Sequence, residues 1–196
     1  LDTNHSNMTQ LYRKVDQHPK VKKAFIGSGI RYDLLVDDFN KNNNDGNHDE
    51  YIEQVITRHV SGRLKVAPEH TSDATLRVMR KPSFKYFHKF KEKYDQISAK
   101  HNLQQQLIPY FISSHPGCEE EDMANLAAET KDMGFQLEQV QDFTPTPMTV
   151  ATVIYYSGVH PYTLKPINTV KSKEEKLNQN KFFFWYKKEN QAWIRQ

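Results

Sequence analysis

The residues best suited to chemistry in this chain follow short apolar runs. Leu64-Lys-Val-Ala67 leads into Pro68-Glu69-His70, and the text then turns helical, with Ser72 or Asp73 as the cap and Leu76 and Met79 at helical spacing. A carboxylate, an imidazole and a hydroxyl therefore stand where a strand ends, which is where α/β folds bind ligands. Glu69 can accept hydrogen bonds from ribose hydroxyls or an amine; the plainer reading is a cap or an ion pair with Lys65. His70 has too many structural uses to be given a ligand role. After Gln106–Ile112 comes Ser113-Ser-His-Pro-Gly-Cys118. A nucleophile story fails there, because sequence neighbours seldom point at one another and no G-x-S-x-G elbow is present. The acidic start Glu119-Glu-Glu-Asp122 would raise a thiol's pKa, so Cys118 reads as non-catalytic, and Ser113 and Ser114 read as donors to a cofactor.

Two further strand ends carry polar groups. Gly27-Ser-Gly-Ile-Arg31-Tyr-Asp33 lets backbone approach a ligand closely and offers Ser28 and Arg31 as donors. A tight surface turn with Arg31 paired to Asp33 explains it equally well. At Glu138–Phe143, alternation puts Gln139 and Gln141 on one face and Val140 and Asp142 on the other. These two glutamines face either a barrel mouth or water at an edge strand.

The elements that must position these groups alternate. Strands are expected at Lys22–Gly27, Gly62–Ala67, Gln106–Ile112 and Glu138–Phe143, with a further short strand at Val150–Tyr156. Helices are expected at Thr9–His18, Arg31–Asn40, Asp49–His59, Asp73–Arg80, Ser83–His101 and Glu119–Met133, the last closed by Gly134. Asn40–His48 is a polar loop with no packing residues. The tail from Ser172 begins as a capped helix and carries Phe182-Phe-Phe-Trp-Tyr186, an aromatic cluster that should dock on the body or on a following domain. Crossovers longer than a dozen residues argue for parallel β/α units, and four strands suit a partial barrel or an open sheet.

Composition sets limits. The chain has 196 residues, 27 Lys and Arg against 24 Asp and Glu, and 37% hydrophobic residues, enough for a core. The excess of +3 is spread along the sequence, so no DNA-binding face is expected. One cysteine permits no internal disulfide or cysteine metal site, which fits a reducing cytoplasm. No apolar run is long enough to span a bilayer and no signal peptide is visible, so no membrane role is expected. The first residue is Leu1 rather than Met, and the polar start reads as the inside of a longer frame.

Taken together, FIGSGIRYDLL, SGRLKVAPEHTSDATLRVMRKP, IPYFISSHPGCEEEDMANLA and EQVQDFTPTPMTVATVIYYSGVHP resemble the later half of a radical S-adenosylmethionine domain, and more narrowly the YgiQ-type branch. The resemblance runs from about Val21 to about Tyr186. It implies the later strands of a (β/α)6 partial barrel over residues 1–156, with a parallel sheet and outer helices, and a C-terminal extension over 157–196. It implies S-adenosylmethionine and a [4Fe-4S] cluster as cofactors of the parent protein. The three cluster cysteines are missing here, so the chain alone should be inactive and its partner would be the absent N-terminal half of the same polypeptide. By the same resemblance Lys65 and Glu69 approach the ribose or methionine part of S-adenosylmethionine. Ser113 and Ser114 lie near the adenine, Ser28 and Arg31 line the cavity, and Arg77 and Arg80 reach the methionine carboxylate, although a charge that favours a helix C-terminus explains Arg80 equally well. No catalytic residue is assigned, and the substrate is a small molecule, an RNA or a protein. The competing reading is a cluster-less half-barrel that binds RNA or protein through the basic Lys85–Lys93 helix and the aromatic tail; a solvated face over the stripe of Phe84, Phe87 and Phe90 explains that helix equally well.

Overall fold

The computed structural model describes residues 4–36 and 47–195. Among them, strands β1 (Arg63–Glu69), β2 (Gln106–Ser113) and β3 (Gln139–Asp142) form one parallel sheet in the order β1-β2-β3. The chain divides into two compact units, and β1 and β2 each begin in the first and end in the second.

The first unit holds residues up to Ala67 together with Lys85–Ile108. Its helices are α1 (Ser6–Gln17), α2 (Asp33–Val36), α3 (Asn47–Arg58) and, later in the chain, α5 (Lys85–Lys100). The apolar stripe of α5, with Phe87, Phe90, Tyr94 and Ile97 at helical spacing, is buried. Tyr32 packs edge-on to Phe87, and Leu35, Ile52, Val55 and Ile56 complete this core. The basic face of α5 is partly neutralised, since Lys93 pairs with Asp49 and Lys100 with Glu53 at 2.7 Å.

The second unit holds Pro68–Phe84 and Pro109–Gln196. Its helices are α4 (Asp73–Met79), α6 (Glu120–Asp132), α7 (Val150–Ser157), α8 (Lys173–Phe183) and α9 (Lys188–Ile194). Three of these starts have a local cause in a side-chain cap. The Ser72 hydroxyl accepts from the Thr75 amide, Thr149 from Thr152 and Ser172 from Glu175. At the end of α6, Gly134 takes φ 76 while the Phe135 amide donates to the Thr130 carbonyl, the left-handed stop that Gly134 predicts. The β2–β3 register pairs Tyr110 with Gln139 and Ser113 with Asp142. The Phe84 and Phe111 rings lie 6.2 Å apart at a tilt, and Leu76, Met123, Leu126, Leu137 and Ile154 are buried in the same unit. The aromatic tail docks on its own unit: α8 packs on α6, Phe182 and Phe183 are buried, and Trp193 meets Phe182 edge-on at 5.4 Å.

Two expectations are corrected. Lys22–Gly27 is not a strand. The Ile26 amide donates to the His59 carbonyl and Ile30 makes an isolated parallel bridge to Val66, while Phe25 is half exposed; the short apolar run finds no continuous ladder. Val150–Tyr156, rich in β-formers, is the helix α7, because Thr149 caps its start and Gly158 at φ 70 closes it. Of the polar loop Asn40–His48, residues 40–46 lie outside the described residues, as does the end of the helix expected at Arg31–Asn40. No helix among the described residues is long and apolar enough to cross a membrane.

Candidate functional site

The second unit has a cleft of about 690 Å³ at the C-terminal ends of its strands. Tyr110 and Ile112, two apart on β2, point the same way by strand alternation and line its floor with Gln141 of β3. The walls come from Glu69 at the end of β1, from Val78–Lys81 at the end of α4 and from His115 after β2. The rim is Phe143, Thr144 and Thr146, then Met148–Ala151 at the start of α7.

Glu69 is the unusual group. It is buried, with φ at 69, a region that costs a non-glycine residue about 1–2 kcal/mol. Its Oε1 accepts from Lys81 Nζ at 2.9 Å, whereas its buried Oε2 has no partner. A buried carboxylate oxygen left without a donor is costly, and here it belongs to a cleft-lining residue. Nearby, Tyr110 donates its hydroxyl to Gln141 Oε1 at 2.5 Å. Burial, and then the Glu69 charge, push the Tyr110 phenol upward, so it stays protonated. The two N–H groups of the Gln141 amide remain available as donors by valence. His115 Nδ1 lies 2.9 Å from the Pro116 carbonyl, so it carries the ring proton and leaves Nε2 an acceptor. Burial pushes His115 down, which favours that neutral ring. The cleft therefore offers acceptors at Glu69 and His115 beside donors at Gln141 and Arg80, and it suits a ligand that carries hydroxyl or N–H donors together with an acceptor or a negative charge.

Behind the cleft wall lies a buried cluster. His70 is fully buried, and its Nδ1 accepts from the Ser72 amide at 3.0 Å. The proton then sits on Nε2, which faces Cys118 Sγ at 3.4 Å. Burial lowers His70 to about 4, and burial, followed by the Asp122 charge, raises Cys118 to about 12. This pair is a neutral imidazole beside a neutral thiol, the opposite of an activated nucleophile. The acidic helix start contributes, but burial dominates.

The candidate residues divide between the two units. In the first, Ser28 and Lys65 are exposed, and Arg31 is bound in two hydrogen bonds to Asp33, at 2.8 and 2.6 Å. The surface-turn reading describes Arg31. In the second, Glu69 lines the cleft, its ion pair going to Lys81 rather than Lys65. Arg77 is exposed on α4, and Arg80, at φ 58, is the arginine that lines the cleft. Ser113 donates to Asp142 Oδ1 at 2.5 Å, and Ser114, at φ 57, keeps a buried Oγ without a partner. Neither serine is among the cleft-lining residues. Lys81, Tyr110 and Phe143 were not legible as site residues, because only the sheet register and the turn after α4 bring them to Glu69. His115 stood within a highlighted run, and its place just past a strand end was its signal.

Comparison with known proteins finds relatives along the whole chain. A UPF0313 protein of Porphyromonas gingivalis is 56% identical over 195 residues, which are 100% of this chain and 31% of that protein. A UPF0313 protein of Bacteroides thetaiotaomicron is 59% identical over 189 residues, 96% of this chain and 30% of the relative. One from Methanocella arvoryzae is 45% identical over 176 residues, 90% of this chain and 28% of that protein. The chain thus spans about 30% of the length of the curated relatives it matches. A family profile described as a domain of unknown function, DUF3362, matches residues 138–196.

Proposed function

We propose that this chain, like the UPF0313 proteins it resembles over its full length, carries the cofactor- and substrate-facing part of a radical S-adenosylmethionine enzyme, and that the strand-end cleft binds S-adenosylmethionine. The observation that carries this reading is the unpartnered Oε2 of Glu69, in a cleft of about 690 Å³. A ribose diol or an ammonium would supply the donor that oxygen lacks. Lys81 holds the other oxygen and so orients the carboxylate. Gln141 offers amide donors to a purine or a carboxylate, and Arg80 offers a charge at the rim. In this reading Ser113 and Ser114 act from behind the wall, shaping the turn that bears His115.

The residues of this chain do not fit an iron–sulfur cluster. Its single cysteine is buried, protonated and packed on His70, whereas a cluster takes several thiolates. In this reading the cluster ligands would come from a part of the protein outside this chain. The competing RNA-binding reading loses support, since the aromatic tail is packed on α6 and the face of α5 is partly ion-paired.

Equilibrium dialysis with labelled S-adenosylmethionine tests the proposal. Wild-type chain should retain the ligand, and Glu69→Gln should bind roughly ten- to a hundredfold more weakly, the worth of a charge-assisted hydrogen bond. Binding that is absent in the wild type, or unchanged in Glu69→Gln, would remove the basis of the assignment.

A further inference from the structure

We infer that helix α8 is a positioning element of the cleft, with Gln179 and Asn180 fixing the turn Ser113–Cys118 and, through it, His115 in the cleft wall. The inference concerns the proposed ligand cleft and rests on that reading, but its first readout does not depend on which ligand binds.

Gln179 is buried on a helix whose exposed positions are mostly charged, and both ends of its amide bond to the turn. Its Oε1 accepts from the Ser114 amide at 2.7 Å and from the Cys118 thiol at 3.5 Å, and its Nε2 donates to the Cys118 carbonyl at 3.2 Å. One side chain thus grips both ends of the segment that contains His115. The next residue reaches the strand end: Asn180 Nδ2 donates to Asp142 Oδ1 at 3.1 Å, and the same oxygen accepts from Ser113. The rest of the C-terminal segment adds to the grip. The Phe143 amide donates to the Ser113 carbonyl at 2.8 Å, and the Gly117 amide donates to the Asn168 carbonyl at 2.8 Å. Asn168 Nδ2 also reaches Glu119 Oε2 at 2.9 Å.

This density of bonds explains how Ser114 is held at φ 57, a conformation that relaxes unless its surroundings over-determine it. It also explains the placement of His115, whose ring meets Phe143 edge-on at 4.8 Å. Phe143, Asn168, Gln179 and Asn180 all fall within the 138–196 match, whereas the turn they hold lies outside it. The C-terminal segment therefore functions as part of the site rather than as an appendage. Gln179 touches no cleft space and acts through the turn.

The test compares variants of the full chain by the ring resonances of His115 at one fixed pH and by affinity for S-adenosylmethionine. Gln179→Ala should shift the His115 signals and weaken binding about tenfold, the effect of misplacing one hydrogen bond. Gln179→Glu should restore both. Burial favours its neutral carboxyl, which donates to the Cys118 carbonyl and accepts from Ser114 as the amide does. Leu126→Ala on α6, a cavity variant in the same unit, lowers stability without touching the turn and should leave both readouts in place. Should Gln179→Ala fail to fold, Asn180→Ala at a half-buried position carries the same comparison with a smaller shift. His115 signals unmoved by the Gln179 and Asn180 changes, or moved equally by Leu126→Ala, would overturn the inference. If wild-type chain binds no S-adenosylmethionine, the ligand reading fails, and the His115 comparison still decides the role of α8.

Discussion

Two strand ends in the second unit solve the same local problem and use the result differently. At the end of β1, Glu69 stands at φ 69; just past β2, Ser114 stands at φ 57. Each leaves a buried side-chain oxygen without a partner, Oε2 in one and Oγ in the other. Glu69 is tethered by one exposed lysine and lines a cleft, whereas Ser114 is held from behind by Gln179. Equal backbone strain thus serves a ligand-facing group in one turn and a clamped scaffold in the other. An unpartnered buried atom becomes a candidate for binding only where its residue lines a cleft, as Glu69 does and Ser114 does not.

The largest expected effect tests the buried side of both turns, where His70 meets Cys118. His70 is pushed down to about 4 from an ordinary value near 6.5. The unfolded chain takes up that proton below its ordinary value and the folded chain only below about 4. Stability should therefore fall as pH drops through that window, by up to roughly 3 kcal/mol from this group, and level off below it. His115, also pushed down, acts in the same direction. Urea unfolding at about pH 7 and about pH 4.5 measures the slope, and His70→Gln should flatten it. A slope identical in the variant would mean the pair does not anchor the turns.

A smaller effect is expected from Gly117→Ala, which tests whether the second turn is as rigid as its bonds imply. Gly117 has φ +82, and a Cβ there would sit 3.0 Å from Val78 Cγ2. Destabilisation of about 1–3 kcal/mol in a denaturant melt is expected, from left-handed strain and overpacking. A neutral result would show that the turn gives way easily. The smallest effect sharpens the comparison itself. Ser114→Gly removes the strain and the unpartnered hydroxyl together, and should raise stability by about 0.5–1 kcal/mol without altering ligand affinity. Loss of ligand affinity in that variant would mean that the Ser114 side chain itself, and not only the turn that carries His115, serves the ligand.

Much of this was legible in the sequence, for identifiable reasons. The runs at Gly62–Ala67 and Gln106–Ile112 are strands, and the Ser172 and Gly134 signals mark helix ends correctly, because caps and buried runs are local. Lys22–Gly27 failed because a strand needs a partner, which no local signal supplies. Val150–Tyr156 is a helix despite its β-branched residues because Thr149 and Gly158 define the two ends of a helix. In the cleft, Glu69 could be read from its place at a strand end. Lys81 could not, since its reach to Glu69 depends on the left-handed turn at Arg80. Gln179 lies in the tail, far in sequence from the turn it holds, and only tertiary packing reveals it.

The most direct test of the central claim is hydrogen–deuterium exchange of the full chain with and without S-adenosylmethionine. Protection gathered on the backbone around Glu69, Arg80–Lys81, Tyr110–Ile112 and Phe143–Ala151 is the predicted result, and it should vanish in Glu69→Gln. Protection confined to other segments, or none at saturating ligand, would contradict the assignment of this cleft as the S-adenosylmethionine site.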